Sequence, residues 1–220
     1  MLLKPKVKNI SANHYKITDN WTGLESITRS LYNIAILQRA IDPEIKDFLT
    51  FLVNNLLIEP ISEVIFPDQS RDILEKTLGK YQSLNDLGYE KLIVDIENIV
   101  TNFCKLTKAK KIDLYFSPVN HTKCPIFHSD FNYLRLVCTY YGEGTLWLTN
   151  DNVNFNKIGC GDNNQIVKNI KIVQKMNEFE IGILKGAKFP DNISHPIIHR
   201  SPTINETGKI RVLLKLDILE

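Results

Sequence analysis

The sequence predicts an α+β chain in which helices pack on the outside of a β-sandwich or jelly roll. Three observations predict it. Apolar residues recur at helical spacing before Lys111, and they alternate or form short runs after it. Helices come first and strands follow, without the β-α alternation that a parallel sheet requires. No Gly/Ser/Pro-rich linker separates the halves, so a helical N-terminal region (1–106) is expected to buttress a β core (107–220) in one integrated unit.

Residues 22–41 carry Leu24, Ile27, Leu31, Ile34, Ala35 and Leu37 at helical spacing, and Thr22 with Glu25 reads as a capping box. Asp42-Pro43 ends that segment and opens the next helix, with Pro43 suited to its first turn. Pro60 and Pro67 bracket a short connection. One or two helices follow over 69–105, with a break around Asn85–Gly88 and a buried stripe of Leu92, Ile93, Ile96, Ile99, Val100 and Phe103. Strands are expected at 112–118, 134–141 and 145–149, the last two joined as a hairpin by Gly142-Glu143-Gly144. Further strands are expected at 170–176, 180–186, 195–200 and 209–219, with 150–169 as an Asn/Asp/Gly-rich loop.

Composition narrows the function. The 27 basic and 25 acidic side chains give a formal net charge of +2, which lends no support to nucleic-acid binding. Lys157, Lys168, Lys171 and Lys175 form only a mild basic excess on a solvated surface. No segment approaches the ~18 apolar residues of a membrane span. The start, MLLKPKVKNISANHYK, lacks the apolar centre of a signal peptide, so a cytoplasmic location is expected. Cys104 and Cys138 read as buried small apolar residues and Cys160 as exposed, with no disulfides in a reducing compartment.

Chemistry concentrates in the second half. His128 and Asp130 are two apart in an extended segment, so both side chains point to one side. A non-haem Fe(II) site needs two neutral imidazoles and a carboxylate on one octahedral face, with the opposite positions open. A third ligand must come from a strand distant in sequence, and His199, ending a strand-like run, is placed to supply it. Arg211 lies within the final apolar strand. Such a strand has little reason to hold an arginine unless the fixed charge meets an anion, and a carboxylate of a bound oxo-acid suits its planar fork.

His128-x-Asp130, His199 and Arg211 in the last strand resemble the pattern of the Fe(II)/2-oxoglutarate oxygenases, whose core is a double-stranded β-helix of jelly-roll or cupin-like form. Cys138-Thr139-Tyr140-Tyr141 looks like the strand that follows this motif in prolyl hydroxylases. The chain is more closely similar to a bacterial family catalogued as domain of unknown function 1826. The pieces that carry this are Cys124-Pro125-x-Phe127-His128-x-Asp130, Arg135-Leu136-x-x-Thr139-Tyr140-x-Gly142-x-Gly144-Thr145-x-Trp147-Leu148, Leu184-Lys185-Gly186, His199-Arg200-Ser201-Pro202 and Arg211-x-Leu213-Leu214-x-Leu216-Asp217. Leu37-Gln38-Arg39 fits it more loosely.

The resemblance implies an oxygenase of hydroxylase or demethylase type that oxidises a small molecule or a protein. His128, Asp130 and His199 would bind Fe(II), and Arg211 the distal carboxylate of 2-oxoglutarate. Retention of Asp130 argues against a halogenase. The prolyl-hydroxylase likeness turns Tyr141's face inward, so that Arg135 and Thr139 also line the pocket, with Arg135 binding an acidic substrate or the oxo-acid. Hydrophobicity favours the opposite phasing, with Leu136, Cys138 and Tyr140 inward.

Plainer readings stand beside these. His128 and Asp130 also read as a histidine-carboxylate hydrogen bond, and Arg211 as a salt bridge to Glu178 or Glu180. His121 and His195 read as loop residues, Trp147 as core, and Arg200-Ser201-Pro202 as the turn after the third ligand. Cys124 raises a structural zinc site that no second Cys-x-x-Cys supports. A cupin-like protein that binds a divalent metal without catalysis is the alternative to an enzyme.

Overall fold

The structure, a computed structural model that describes residues 14–190, 195–204 and 209–219, departs at once from a helical first half. Strand β1 (Tyr15–Thr18) leads into a single turn, α1 (Trp21–Leu24), and a 3-10 turn over Glu25–Thr28. Strand β2 (Ile34–Leu37) follows. The helix expected over 22–41 is therefore replaced by a turn and a strand. Asn20 is the cap, accepting from the backbone N–H of Gly23, so Thr22 lies inside the turn and the Thr22–Glu25 capping box does not form. The cause lies in Ile34-Ala35-Ile36-Leu37, all four buried. A short apolar run buried on both faces is a central-strand pattern that helical spacing cannot distinguish. β2 pairs parallel with β1 and antiparallel with a strand from the far half of the chain.

Helix α2 (Pro43–Asn54) begins as expected: Asp42 accepts from the N–H groups of Glu44 and Ile45, and Pro43 fills the first turn. Between Pro60 and Pro67 lies an unexpected edge strand, β3 (Ile61–Ile65), short and half exposed. Helices α3 (Ser70–Leu78) and α4 (Asp86–Thr107) meet at the predicted break, where Asn85 caps α4 by accepting from Gly88 N–H. Gly88 permits α2 and α4 to cross closely, because a Cβ there would lie 2.5 Å from the Glu44 carbonyl oxygen.

The second half forms β4 (Ile112–Val119), β5 (Leu134–Tyr141), β6 (Leu146–Leu148), a single-turn helix α5 (Asn163–Ile166), β7 (Gln174–Lys175), β8 (Ile181–Lys185), β9 (Ile198–Arg200) and β10 (Arg211–Ile218). Seven strands form a large sheet in the order β1-β2-β8-β5-β10-β4-β3, and three form a small sheet, β7-β6-β9. β5 and β6 lie in different sheets, so the hairpin expected at Gly142-Glu143-Gly144 is a corner instead. Gly142 takes a φ of +86°, and its N–H donates to Glu178 at 2.6 Å. Of 170–176, only Gln174–Lys175 is strand.

The sheets face each other as a jelly roll that does not close into a barrel. Three apolar layers result. The helices pack on the outer face of the large sheet, with Phe48, Leu92, Ile96 and Phe103 against Leu136, Cys138, Tyr140, Leu214 and Leu216. Ile34, Ile36, Val137, Leu184 and Trp147 fill the space between the sheets. Phe127, Leu148, Val153, Ile166 and Ile198 form a third cluster, where the 150–169 segment covers the outer face of the small sheet. The region 1–106 thus supplies three strands of the large sheet as well as the helices, and all share one core.

Two polar ties pin the N-terminal half. Arg39 forks onto Asp95 at 2.5 and 2.8 Å and donates to the Phe179 carbonyl, while the Tyr140 hydroxyl also donates to Asp95. Asp95→Ala would strand a guanidinium and a buried phenol, and is expected to cost about 3 kcal/mol in urea denaturation. A loss under ~1 kcal/mol would show that solvent already satisfies the pair.

The other tie is His14, whose Nε2 accepts from Asn150 N–H at 2.6 Å, so Nδ1 carries the ring proton toward Asn33 Oδ1 at 2.7 Å. Burial lowers the His14 pKa, against the opposing hydrogen bond with Asn33. The folded state therefore favours neutral imidazole. Its contribution is complete above the unfolded pKa of ~6.5 and is lost as pH falls below it. The melting temperature is expected to drop less steeply below about pH 6.5 in His14→Gln than in the parent; equal slopes would contradict this linkage.

A candidate metal centre between the sheets

His128 precedes the β5 strand in a segment that pairs with β9. The backbone of His128 bonds to that of His199 in both directions, at 3.0 and 2.9 Å. Residues directly opposite in an antiparallel pair project to the same face, and the two imidazole centroids lie 4.8 Å apart. Opposite Trp147 on β6, His199 is also turned toward the space between the sheets.

Asp130 completes the cluster, with Oδ1 3.5 Å from His128 Nε2 and Oδ2 3.3 Å from His199 Nε2. One ligand atom from each of the three lies within 4.8 Å of the others, and no other such group occurs among the described residues. The His128 Nδ1–H donates to the Ile126 carbonyl at 2.8 Å, leaving Nε2 as a free acceptor on the cluster side. His199 is buried and its Nδ1 has no hydrogen-bond partner. Two imidazoles and a carboxylate crowded together in this way are a donor set that fits Fe(II) or another divalent first-row metal.

Electrostatics keep the carboxylate ionised. Burial pushes the Asp130 carboxyl up, but the adjoining His128 and His199 rings and the charge of Arg135 outweigh it and hold it well below the usual range. Arg135 donates to Asp130 at 2.5 Å and forks onto Asp217 at 2.7 and 2.8 Å. Asp217 also takes Lys215 at 3.1 Å and Asn132 at 3.0 Å. Arg135 thus faces the cleft, as the prolyl-hydroxylase phasing implied, but its donors already serve two carboxylates.

Arg211 is the most unusual side chain in the cleft. It is 3% exposed, and among the described residues its guanidinium bonds only to the hydroxyls of Thr139 (2.8 and 3.1 Å) and Thr145 (2.7 Å). Burial pushes its pKa down to about 10. The salt bridge to Glu178 or Glu180 does not form: Glu178 pairs with Lys46, and Glu180 accepts from Asn177. A buried cation with no carboxylate partner among the described residues is costly.

Thr139 and Val137 share the inner face with Arg135, but Tyr141 does not. A bulge shifts the β5–β10 register between Val212 and Leu213, next to Tyr141. The Tyr141 ring packs instead on the helix-side core, with Lys46 Nζ 4.2 Å from its centroid. The inward placement of Tyr141 is thereby corrected. His195 stacks on Phe155 at 4.2 Å, and His121 bonds to Asn120, both apart from the cluster. Cys124 is exposed on the cleft wall, without a second thiol in a metal-binding group.

The cleft holds about 210 Å³, lined by the triad with Tyr115, Lys123, Val137, Thr145, Arg211, Leu213 and Lys215, among others. The sequence pattern assigns no role to Asp217, Lys215 or Thr145. Alternation along the last strand was the available signal for two of them, since residues 211, 213, 215 and 217 share a face. Thr145 gave none, because its closeness to Arg211 depends on the corner at Gly142.

The architecture is the jelly roll of the Fe(II)/2-oxoglutarate oxygenases. Dioxygenase for auxin oxidation 1 from Arabidopsis thaliana, solved as a complex with 2-oxoglutarate, superposes with a TM-score of 0.53 at 8% identity, over 93% of this chain and 91% of that one. The rice dioxygenase for auxin oxidation gives 0.49 at 9% identity, over 93% and 82% of the two chains. A Pseudomonas putida prolyl-4-hydroxylase gives 0.43 at 9% identity, over 90% and 98%. At such identity the likeness is one of fold alone, carried by the first of the three. The chain itself belongs to the family described as protein of unknown function (DUF1826), whose model matches residues 18–217. No curated protein sequence matches it.

Proposed function

We propose that this protein is an Fe(II)- and 2-oxoglutarate-dependent oxygenase that carries out a hydroxylase-type oxidation. The observation that carries the reading is Arg211: a buried guanidinium, without a carboxylate partner among the described residues, lining the same cleft as two imidazoles and an aspartate. A metal-binding module without an oxo-acid has no use for that charge. His128, Asp130 and His199 would hold the iron, and Arg211, oriented by Thr139 and Thr145, would grip the distal carboxylate of 2-oxoglutarate. When bound, the pair would supply, with dioxygen, the oxidising chemistry of a hydroxylation.

The chain's own tasks follow from the geometry. The Ile126 carbonyl fixes the His128 tautomer. Arg135 clamps one oxygen of Asp130 and leaves the carboxylate ionised and oriented. Val137 and Leu213 give the floor of the cleft an apolar surface that limits water. We further propose a cytoplasmic setting, which suits four free cysteines. No described helix is long and apolar enough to cross a membrane.

Anaerobic addition of Fe(II) and then 2-oxoglutarate is expected to develop a visible metal-to-ligand charge-transfer band, and admission of air to convert 2-oxoglutarate to succinate. Iron binding without the band would instead favour the non-catalytic metal-binding reading.

A further inference from the structure

The charged groups of the cleft do not balance. Asp130 is the carboxylate that lines it, and Arg135 joins Asp130 to Asp217, which stands behind the wall. Lys215 shares Asp217 with Arg135, while Lys123 pairs with no carboxylate among the described residues. Arg200 contributes to the wall, but its guanidinium lies over the Phe127 ring at 5.2 Å and bonds to Ser201 and Thr203, on the outer side of the small sheet. On the oxygenase reading, a divalent metal and a dianionic oxo-acid cancel in charge. The cleft then remains cationic, and the excess sits on one side.

That side is built from β4 and β10. Tyr115 and Lys215 are direct neighbours across the two strands, and Val137 lies on the other side of Lys215 in the same row. The Lys123 ammonium donates to the Tyr115 hydroxyl at 2.6 Å and lies 4.3 Å from its ring centroid. Lys215 Nζ lies 5.6 Å from the same ring. Because the Tyr115 oxygen is already an acceptor, its own hydrogen is left to donate, and no described residue accepts it. Two ammonium groups and a free phenolic donor converge on one patch of the cleft wall, beside Asp130 and Arg135.

We infer that the substrate carries an anionic group, a carboxylate or a phosphate, and that Lys123, Tyr115 and Lys215 bind it. Ammonium groups and a phenol O–H are short, charge-assisted donors to such oxygens. The inference rests on the oxygenase reading for the identity of the other occupants of the cleft. It explains why the cationic excess lies on the β4 side while Arg211 stands apart with its two threonines. Lys123 at the exposed rim would also draw the anion in, an effect that salt weakens.

The test is calorimetric titration of the protein loaded with Fe(II) and saturating 2-oxoglutarate under anaerobic conditions. The probes are benzoate, inorganic phosphate and, as the neutral control, benzamide. At least one anion is expected to bind at least about tenfold tighter than benzamide, and Lys123→Ala and Tyr115→Phe each to weaken it by about three- to tenfold. The tighter of the two anions distinguishes a carboxylate from a phosphate substrate. Lys123 is exposed, so its removal tests the site without risk to the fold.

The inference is overturned if neither anion binds better than benzamide, or if both variants bind the anion as well as the parent. It is also overturned if Lys123→Ala weakens 2-oxoglutarate as much as the probe, since Lys123 would then belong to the oxo-acid site. Failure of 2-oxoglutarate to bind at all would refute the oxygenase reading instead. The same titration on the protein without oxo-acid would then still decide whether Lys123 and Tyr115 bind an anion.

Discussion

Arg211→Met is expected to abolish measurable 2-oxoglutarate binding, with affinity falling by at least about a hundredfold, and to leave the fold intact. Charge-assisted hydrogen bonds to a carboxylate contribute roughly 1.5–3 kcal/mol each, and a bidentate fork makes two. The variant separates two accounts of the residue. If Arg211 were structural, removing it would strand polar partners and lower stability by several kcal/mol. Its partners are two threonine hydroxyls, which can turn to other acceptors, and methionine fills most of the vacated volume. Replacing a buried charge that lacks a counter-ion is therefore expected to leave stability unchanged or to raise it. Fe(II) affinity, which on the proposed reading rests with the triad, is expected to change less than twofold by the same titration. A variant that unfolds or loses iron would return Arg211 to the framework.

His199→Ala has the complementary effect. Iron affinity is expected to fall by about a thousandfold or more: partners one shell out already cost 10–100-fold in metal sites, and a direct ligand costs more. The fold is expected to persist, because the bonds that join His199 to His128 run through the backbone and survive truncation. Circular dichroism with equilibrium iron dialysis checks both halves. Retained iron would mean that the imidazole is a hydrogen-bond partner of Asp130 and no more, the plain reading of the 3.3 Å contact.

The site was more legible than the fold around it. His-x-Asp announces itself because two residues apart on an extended segment share a side. Arg211 stood out because a charge inside an apolar strand requires a reason. Alternation along the last strand also held the placement of Lys215 and Asp217, for it is a local rule. Helices α2 and α4 were legible through their caps, Asp42 and Asn85, whose side chains bond to N–H groups two or three residues on. Such contacts lie within one window of sequence.

What escaped prediction was set by partners far along the chain. Ile34–Leu37 is a strand because β8 accepts it as a neighbour, and β8 lies in the other half of the molecule. Gly142-Glu143-Gly144 is a corner because β6 finds its ladder partners in β7 and β9 and not in β5. A bulge opposite β10 removes Tyr141 from the cleft, and β-bulges depend on the facing strand.

The residues alone established the chemistry on offer: two imidazoles, an aspartate and a guanidinium, each in an extended segment. Tertiary contact then settled which faces they share, which of them Arg135 binds, and which cation has no counter-ion among the described residues. Side-chain character and short-range spacing are written into every window of a chain, whereas strand partnership and burial arise only when distant windows meet.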